Sequence, residues 1–205
     1  MNKKKALISV SDKSNLKKLL TNLKRHNIEI ISSGGTYKKI IKLGFKCIEV
    51  SDYTGTPEIL DGRVKTLHTK IHAGILSNRD KRSHQTILKK LNFYEIDFVI
   101  VNFYPFEKTL NYTKNHNKII ENIDIGGPAM VRSASKNYKY VTVITNSMQY
   151  DELIHELNKN KGSTTLNFRK RMCEIAFTET GYYDSLITNY FNKILNNKFP
   201  KKKID

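Results

Sequence analysis

The sequence is short of cysteine, of long apolar runs and of acidic side chains. Its 205 residues hold only two cysteines, Cys47 and Cys173, far apart and outside any Cys-x-x-Cys pairing. A disulfide framework is thereby set aside, and two buried free thiols are expected, as suits a reducing cytoplasm. No stretch approaches the ~18 consecutive apolar residues of a membrane span. After Lys3, Lys4 and Lys5, only about five apolar or small residues precede Ser11 and Asp12, too few for a signal-peptide core. The chain therefore reads as soluble and cytoplasmic, without a membrane partner. Acidic residues are outnumbered, 19 Asp and Glu against 36 Lys and Arg, for a net charge of +17. Clustered cations would point to a nucleic-acid backbone. Here the lysines are spread over both tails and over helix faces at Lys17, Lys18, Lys24 and Lys38, so nucleic acid is not expected and anionic small molecules are favoured. Internal repeats are lacking as well, and the length suits one good-sized domain with an appended helical piece.

What is present is an alternation of strands and helices. Ala6 to Val10 is a short apolar run, and Ser11-Asp12 then offers an N-cap for a helix carrying Leu16, Leu19, Leu20 and Leu23 on one face. A second strand, Ile28 to Ile31, runs into Ser32-Ser33-Gly34-Gly35-Thr36 and a helix marked by Ile40, Ile41 and Leu43 that ends at Gly44. Phe45 to Val50 reads as a third strand, followed by a long polar excursion from Ser51 to Lys70, a length that is usually functional. Beyond it come a helix over 83–93, a strand Phe98 to Val101, a helix entering Asp124, another near 128–137 and a strand Val141 to Thr145. From Tyr150 onward the pattern is helical, over 150–159 and then in a long amphipathic run from Phe168 to Phe191. Continuously apolar strands alternating with helices predict an α/β fold, a parallel sheet flanked by helices. The expected division is a sheet domain over 1–146, a helical extension over 147–199 and a frayed tail over 200–205.

In an open parallel sheet, ligands bind outside the carboxyl ends of the strands. Those positions are polar and small here: Ser9, Ser11 and Lys13 after the first strand, Ser33, Gly34, Gly35 and Thr36 after the second, Asn102, Tyr104 and Pro105 after the later apolar one. Ser-Gly-Gly-Thr at a helix start offers free N–H groups and the positive end of the helix dipole, which suit a phosphate. In Gly62-Arg63-Val64-Lys65-Thr66-Leu67-His68, an extended backbone would turn Arg63 and Lys65 to one side, where they could grip an anion. A solvated basic loop is the plain alternative. His68 and His72 have the spacing of a helical metal pair, but no third ligand is evident and Gly74 weakens a helix there, so no metal is expected. Asp124-Ile125-Gly126-Gly127-Pro128 turns into a helix bearing Arg132 and Lys136 at i,i+4. Asp124 could accept a proton from an amide, with Lys136 holding that carboxylate or donating to a leaving group.

Taken together, ALISVSDKSNL, SSGGTYKKI, VSDYTGTPEILDGRVKTLHTKIHAGIL, VNFYPF and ENIDIGGPAMVRSASKNYKYVTVI resemble the N-terminal domain of the bifunctional purine biosynthesis enzymes, over residues 5–195. Those enzymes join IMP cyclohydrolase to an aminoimidazole carboxamide ribotide formyltransferase. The resemblance implies the fold shared with methylglyoxal synthase. It also implies closure of 5-formamidoimidazole-4-carboxamide ribotide to inosine monophosphate (IMP), with no cofactor. The ribose phosphate would lie near Ser11, Lys13, Ser33, Gly34, Gly35 and Thr36, and the base near Arg63, Lys65 and Thr66. Asn102, Tyr104, Asp124, Gly126, Gly127 and Lys136 would complete the site. In that frame Lys65 and Tyr104 stabilise the formyl oxygen, and Asp124 with Lys136 moves the protons.

The chain departs from the pattern at Thr69, where the family has proline, and at Ile175 and Glu179, ordinarily basic positions. It is expected to lack the formyltransferase domain, so a separate formyltransferase is a partner to consider. Because the family pairs as homodimers largely through that domain, a homodimer stays open. A methylglyoxal synthase would share the fold but has no reason for GRVKTLH. A nucleotide-sensing module of the carbamoyl phosphate synthetase kind would not need Lys65, Tyr104, Asp124 and Lys136 together.

Overall fold

A computed structural model describes residues 3–195, so the tail expected over 200–205 lies outside the described residues. The chain runs β1 (Lys5–Val10), α1 (Leu16–Arg25), β2 (Glu29–Ser32), α2 (Gly34–Lys42), β3 (Ile48–Glu49), α3 (Val50–Thr54), α4 (Thr69–Leu76) and α5 (Arg82–Lys90). It continues with β4 (Phe98–Asn102), α6 (Phe106–Tyr112), α7 (His116–Glu121), α8 (Gly126–Lys136), β5 (Thr142–Ile144), α9 (Tyr150–Lys159) and α10 (Leu166–Leu195). All strand pairs are parallel and the sheet order is β3-β2-β1-β4-β5. The α/β class expected from the alternation is what forms.

The apolar continuity of the strands has its physical reason in this sheet: Leu7, Ile8, Ile31, Val99 and Ile100 are all at most 1% exposed because helices cover both faces. Leu16, Leu19, Leu20 and Leu23 bury one stripe of α1, which packs with α9. On β4 and β5 lies α8, itself packed by α4 and α10. Leu153, Leu157, Phe168, Met172 and Ala176 of the last two helices join the same core as β1 and β4. Ile175 also packs against this core, so the departure there is an ordinary apolar contact. Among the described residues no helix is long and apolar enough to cross a membrane.

Several local expectations are corrected. Ser11-Asp12 does not cap α1; the helix starts later, behind Asn15 in the left-handed region (φ 58°), because Asp12 instead accepts the Ser14 N–H in a tight turn at 2.9 Å. The third strand shrinks to two residues, since Val50 already opens α3. Gly74 sits inside α4 after all: a Cβ there would lie 2.5 Å from the Tyr94 carbonyl oxygen, so glycine permits close helix packing and does not end the helix. Thr69 takes the first position of α4, where proline is favoured but not required. Cys47 and Cys173 are free but only half buried, and burial pushes the Cys47 thiol up to about 12.

Candidate active site

The chain leaves β1 toward β2 and β3 on one side and β4 toward β5 on the other. Between β1 and β4 the order therefore reverses, and a crevice opens at the carboxyl ends of the strands. A cavity of about 780 Å³ occupies that place. Its lining includes Ser11, Lys13, Ser33, Gly34, Gly35, Thr36, Arg63, Lys65, Thr66, Asn102, Tyr104, Asp124, Gly126 and Gly127. Five sequence segments far apart in the chain thus meet around one volume, which is within the usual range for a small-molecule site.

The floor is built by backbone-directed hydrogen bonds. Thr36 Oγ1 accepts the Val10 N–H and donates to the Val10 carbonyl, both at 3.0 Å, which fixes the start of α2 against the end of β1. Asn102 Oδ1 accepts the N–H groups of Ser11 (2.7 Å) and Asp12 (2.9 Å), while its amide donates to the Asp12 carbonyl at 3.1 Å. The Ser11 hydroxyl donates to the Phe103 carbonyl at 2.7 Å. These side chains shape the site instead of offering free donors to a ligand. What α2 offers are its first-turn N–H groups, from Gly34, Gly35 and Thr36. Gly34 is at φ 53°, and its missing side chain leaves room for Lys65: a Cβ there would be 2.8 Å from Lys65 Nζ.

Asp124 lies at the mouth of α8, where its carboxylate accepts the Gly127 N–H at 2.8 Å. A Cβ on Gly127 would come within 2.4 Å of the same carboxylate, so glycine here leaves the room in which Asp124 sits. Burial raises the Asp124 pKa above the usual carboxylate value, opposed by the backbone N–H groups of Gly127 and Tyr104. Such a half-buried carboxyl, held in place but not neutralised by a cation, suits proton exchange. Tyr104 lines the cavity with 59% of its surface exposed.

The rim differs from the expectation that Arg63 and Lys65 jointly grip an anion. Residues 60–62 form a short 3-10 turn with Leu60 and Asp61 at positive φ, so the backbone is not extended into Arg63. Arg63 instead makes a two-pronged pair with Glu121 of α7, at 3.1 and 2.6 Å. Lys65 Nζ pairs with Glu58 at 2.7 Å. Lys13 Nζ folds back on the carbonyls of Val10 and Ser11, each at 3.2 Å.

Lys136 is the one predicted site residue the structure does not bring in. It is exposed at the far end of α8 and is absent from the lining. With 1.5 Å of rise per residue, an 11-residue helix separates its ends by about 15 Å, so Lys136 cannot hold the Asp124 carboxylate. Sequence reasoning missed Glu58 and Glu121, which carried no motif of their own. It also missed Tyr183 of α10, a buried residue whose hydroxyl accepts the Asp124 N–H at 2.8 Å. His68 caps α4 by accepting the Lys70 N–H at 3.0 Å. His72 lies 3.0 Å from the Ser133 hydroxyl, and burial lowers its pKa.

Residues 15–129 match the profile of the MGS-like domain, and residues 134–205 match that of the AICARFT/IMPCHase bienzyme. Among curated proteins, the bifunctional purine biosynthesis protein PurH of Clostridioides difficile is 47% identical over 197 residues, covering 96% of this chain and 38% of that protein. The PurH of Bradyrhizobium diazoefficiens is 46% identical over 191 residues, covering 93% and 36% respectively. The PurH of Wigglesworthia glossinidia brevipalpis is 48% identical over 202 residues, covering 97% and 37%. The chain thus spans little more than a third of the length of these relatives. A solved structure described as the crystal structure of ForH superposes with a TM-score of 0.83 at 29% identity, covering 93% of this chain and 100% of that one.

Proposed function

The chain belongs to the MGS-like domain family, and on that premise we propose that its cavity binds 5-formamidoimidazole-4-carboxamide ribotide and closes it to inosine monophosphate. The observation that carries the reading is convergence: the glycines of SSGGT, the cations of GRVKTLH, Tyr104 of VNFY and Asp124 of IDIGG all line one cavity at the sheet's switch point. The PurH relatives, 46–48% identical in three cases, support the same reaction class.

In this reading the phosphate sits on the first turn of α2, near Lys13, Ser33, Gly34, Gly35 and Thr36. Arg63, Thr66, Gly126 and Gly127 wall the base, while Ser11 and Asn102 position the loop beneath it. The carboxamide nitrogen attacks the formyl carbon, and the carbonyl oxygen takes the electron pair of the broken π-bond. Tyr104 and Lys65, turned from its present partner, stabilise that oxygen as charge builds. Asp124 accepts the proton the attacking nitrogen loses and returns it to the oxyanion, giving the carbinolamine. It then takes the N–H proton of the former formamido nitrogen and delivers it to the hydroxyl, which departs as water as the ring C=N bond forms. Holding both reacting groups in one pocket supplies the orientation for ring closure. Lys136 has no part in this scheme.

Residues 1–146 are read as the cyclohydrolase domain and 147–199 as a helical extension sharing its core, the last four of these lying outside the described residues. A second copy of the chain as homodimer partner, a separate formyltransferase supplying the substrate, and a cytoplasmic location belong to the same proposal.

The test is conversion of the formylated ribotide to inosine monophosphate by the purified chain, followed by absorbance. Lys65→Met should lower kcat by about 100-fold with the fold retained. Wild-type-like turnover in that variant removes Lys65 from the mechanism, and no turnover by the wild-type chain removes the function.

A further inference from the structure

Glu58 belongs to none of the roles above, yet its carboxylate lies inside the cavity lining. One oxygen, Oε2, is 2.7 Å from Lys65 Nζ. The other is pressed onto bare backbone: a Cβ at Gly62, which has φ 88°, would be 2.3 Å from Oε1. Lys65 Nζ in turn rests on Gly34, the first residue of α2. The ammonium therefore stands at the amino end of the helix, with a carboxylate one ion-pair length away. Every other cation lining the cavity is engaged too, Lys13 by backbone carbonyls and Arg63 by Glu121.

A phosphate dianion seated on the α2 N–H groups would approach both Lys65 and the Glu58 carboxylate. It attracts the first and repels the second, so the existing pair must open as it enters. A ligand with no strong anion has nothing to offer in exchange for that pair. We propose that Glu58 is an internal counter-ion of the binding site: it holds Lys65 in the empty cavity and is displaced by an entering phosphate-like dianion, which binds more weakly for having to open the pair. This rests on the phosphate end of the proposed site but not on the cyclisation chemistry.

The experiment is a double-mutant cycle read by calorimetric binding of inosine monophosphate, inorganic phosphate and inosine to the wild-type chain, E58Q, K65M and E58Q/K65M. The expected result runs against that of a structural brace: E58Q binds inosine monophosphate and phosphate roughly fivefold tighter, the upper end for a partly exposed pair. Inosine is unaffected, and the gain vanishes in the K65M background. Thermal melts check folding, and E58A replaces E58Q if that variant does not fold. The proposal is overturned by unchanged or weaker anion binding in E58Q, by an equal gain for inosine, by a gain that persists without Lys65, or by no binding of either anion to any form. Anion binding without turnover leaves it standing while refuting the cyclohydrolase reading.

Discussion

The floor and the rim of the cavity are built on opposite plans. On the floor, polar side chains are consumed by backbone groups at and just after the end of β1: Thr36 by Val10, Asn102 by Ser11 and Asp12. On the rim, Lys65 and Arg63 hold carboxylates that are themselves substantially exposed, 43% for Glu58 and 59% for Glu121. A hydrogen bond between buried groups is costly to leave unmade, whereas an ion pair in water is cheap to exchange. The floor can therefore hold a ligand's seat in register while the rim trades partners when a ligand arrives.

Asp124 strains the comparison most, because it belongs to the floor by its hydrogen bonds and to the chemistry by its charge. Asp124→Asn keeps an oxygen to accept the Gly127 N–H but removes the proton acceptor, so kcat should fall by about 100-fold or more in the ring-closure assay. Stability should move the other way. Since the folded-state pKa is raised, the native protein holds this proton above pH 3.8 longer than the unfolded chain does. Stability from this group is therefore full below pH 3.8 and is lost as pH rises through the raised value. At pH 7 the variant should melt no lower than the wild type, with the difference in its favour shrinking toward pH 4. A variant that melts well below the wild type at pH 7 would show that the carboxylate is part of the scaffold after all.

Thr36→Val tests the floor itself. It strands the Val10 N–H and carbonyl at a residue only 3% exposed, and urea unfolding should register a loss of about 2 kcal/mol. A negligible loss would mean the floor is as exchangeable as the rim. The smallest effect belongs to Glu121→Gln, which releases Arg63 at the water-facing edge. The melting temperature should not move, and phosphate affinity should tighten by no more than about twofold. A marked drop in melting temperature would put the Arg63–Glu121 pair among the structural contacts.

The strands other than β3, the buried face of α1 and the glycine-bearing start of α2 were legible because period and turn chemistry are local. So were the segments that line the cavity, since strand ends in a parallel sheet converge by topology. The partners of those residues were not legible. Nothing in the spacing says that Glu121, 58 residues past Arg63, closes on it, or that Tyr183 of α10 receives the Asp124 N–H. The i,i+4 relation of Arg132 and Lys136 was read correctly as one helix face, but at the wrong end of the helix: only the start of α8 reaches the cavity.

By itself, the sequence determined the α/β alternation, the apolar content of each strand and the set of segments that carry chemistry, because each depends on neighbours within a few residues. The tertiary structure decided which of those side chains are spent on backbone, which are held by distant carboxylates and which stay outside. Those outcomes depend on distances between segments that only the packing of the sheet and its helices sets.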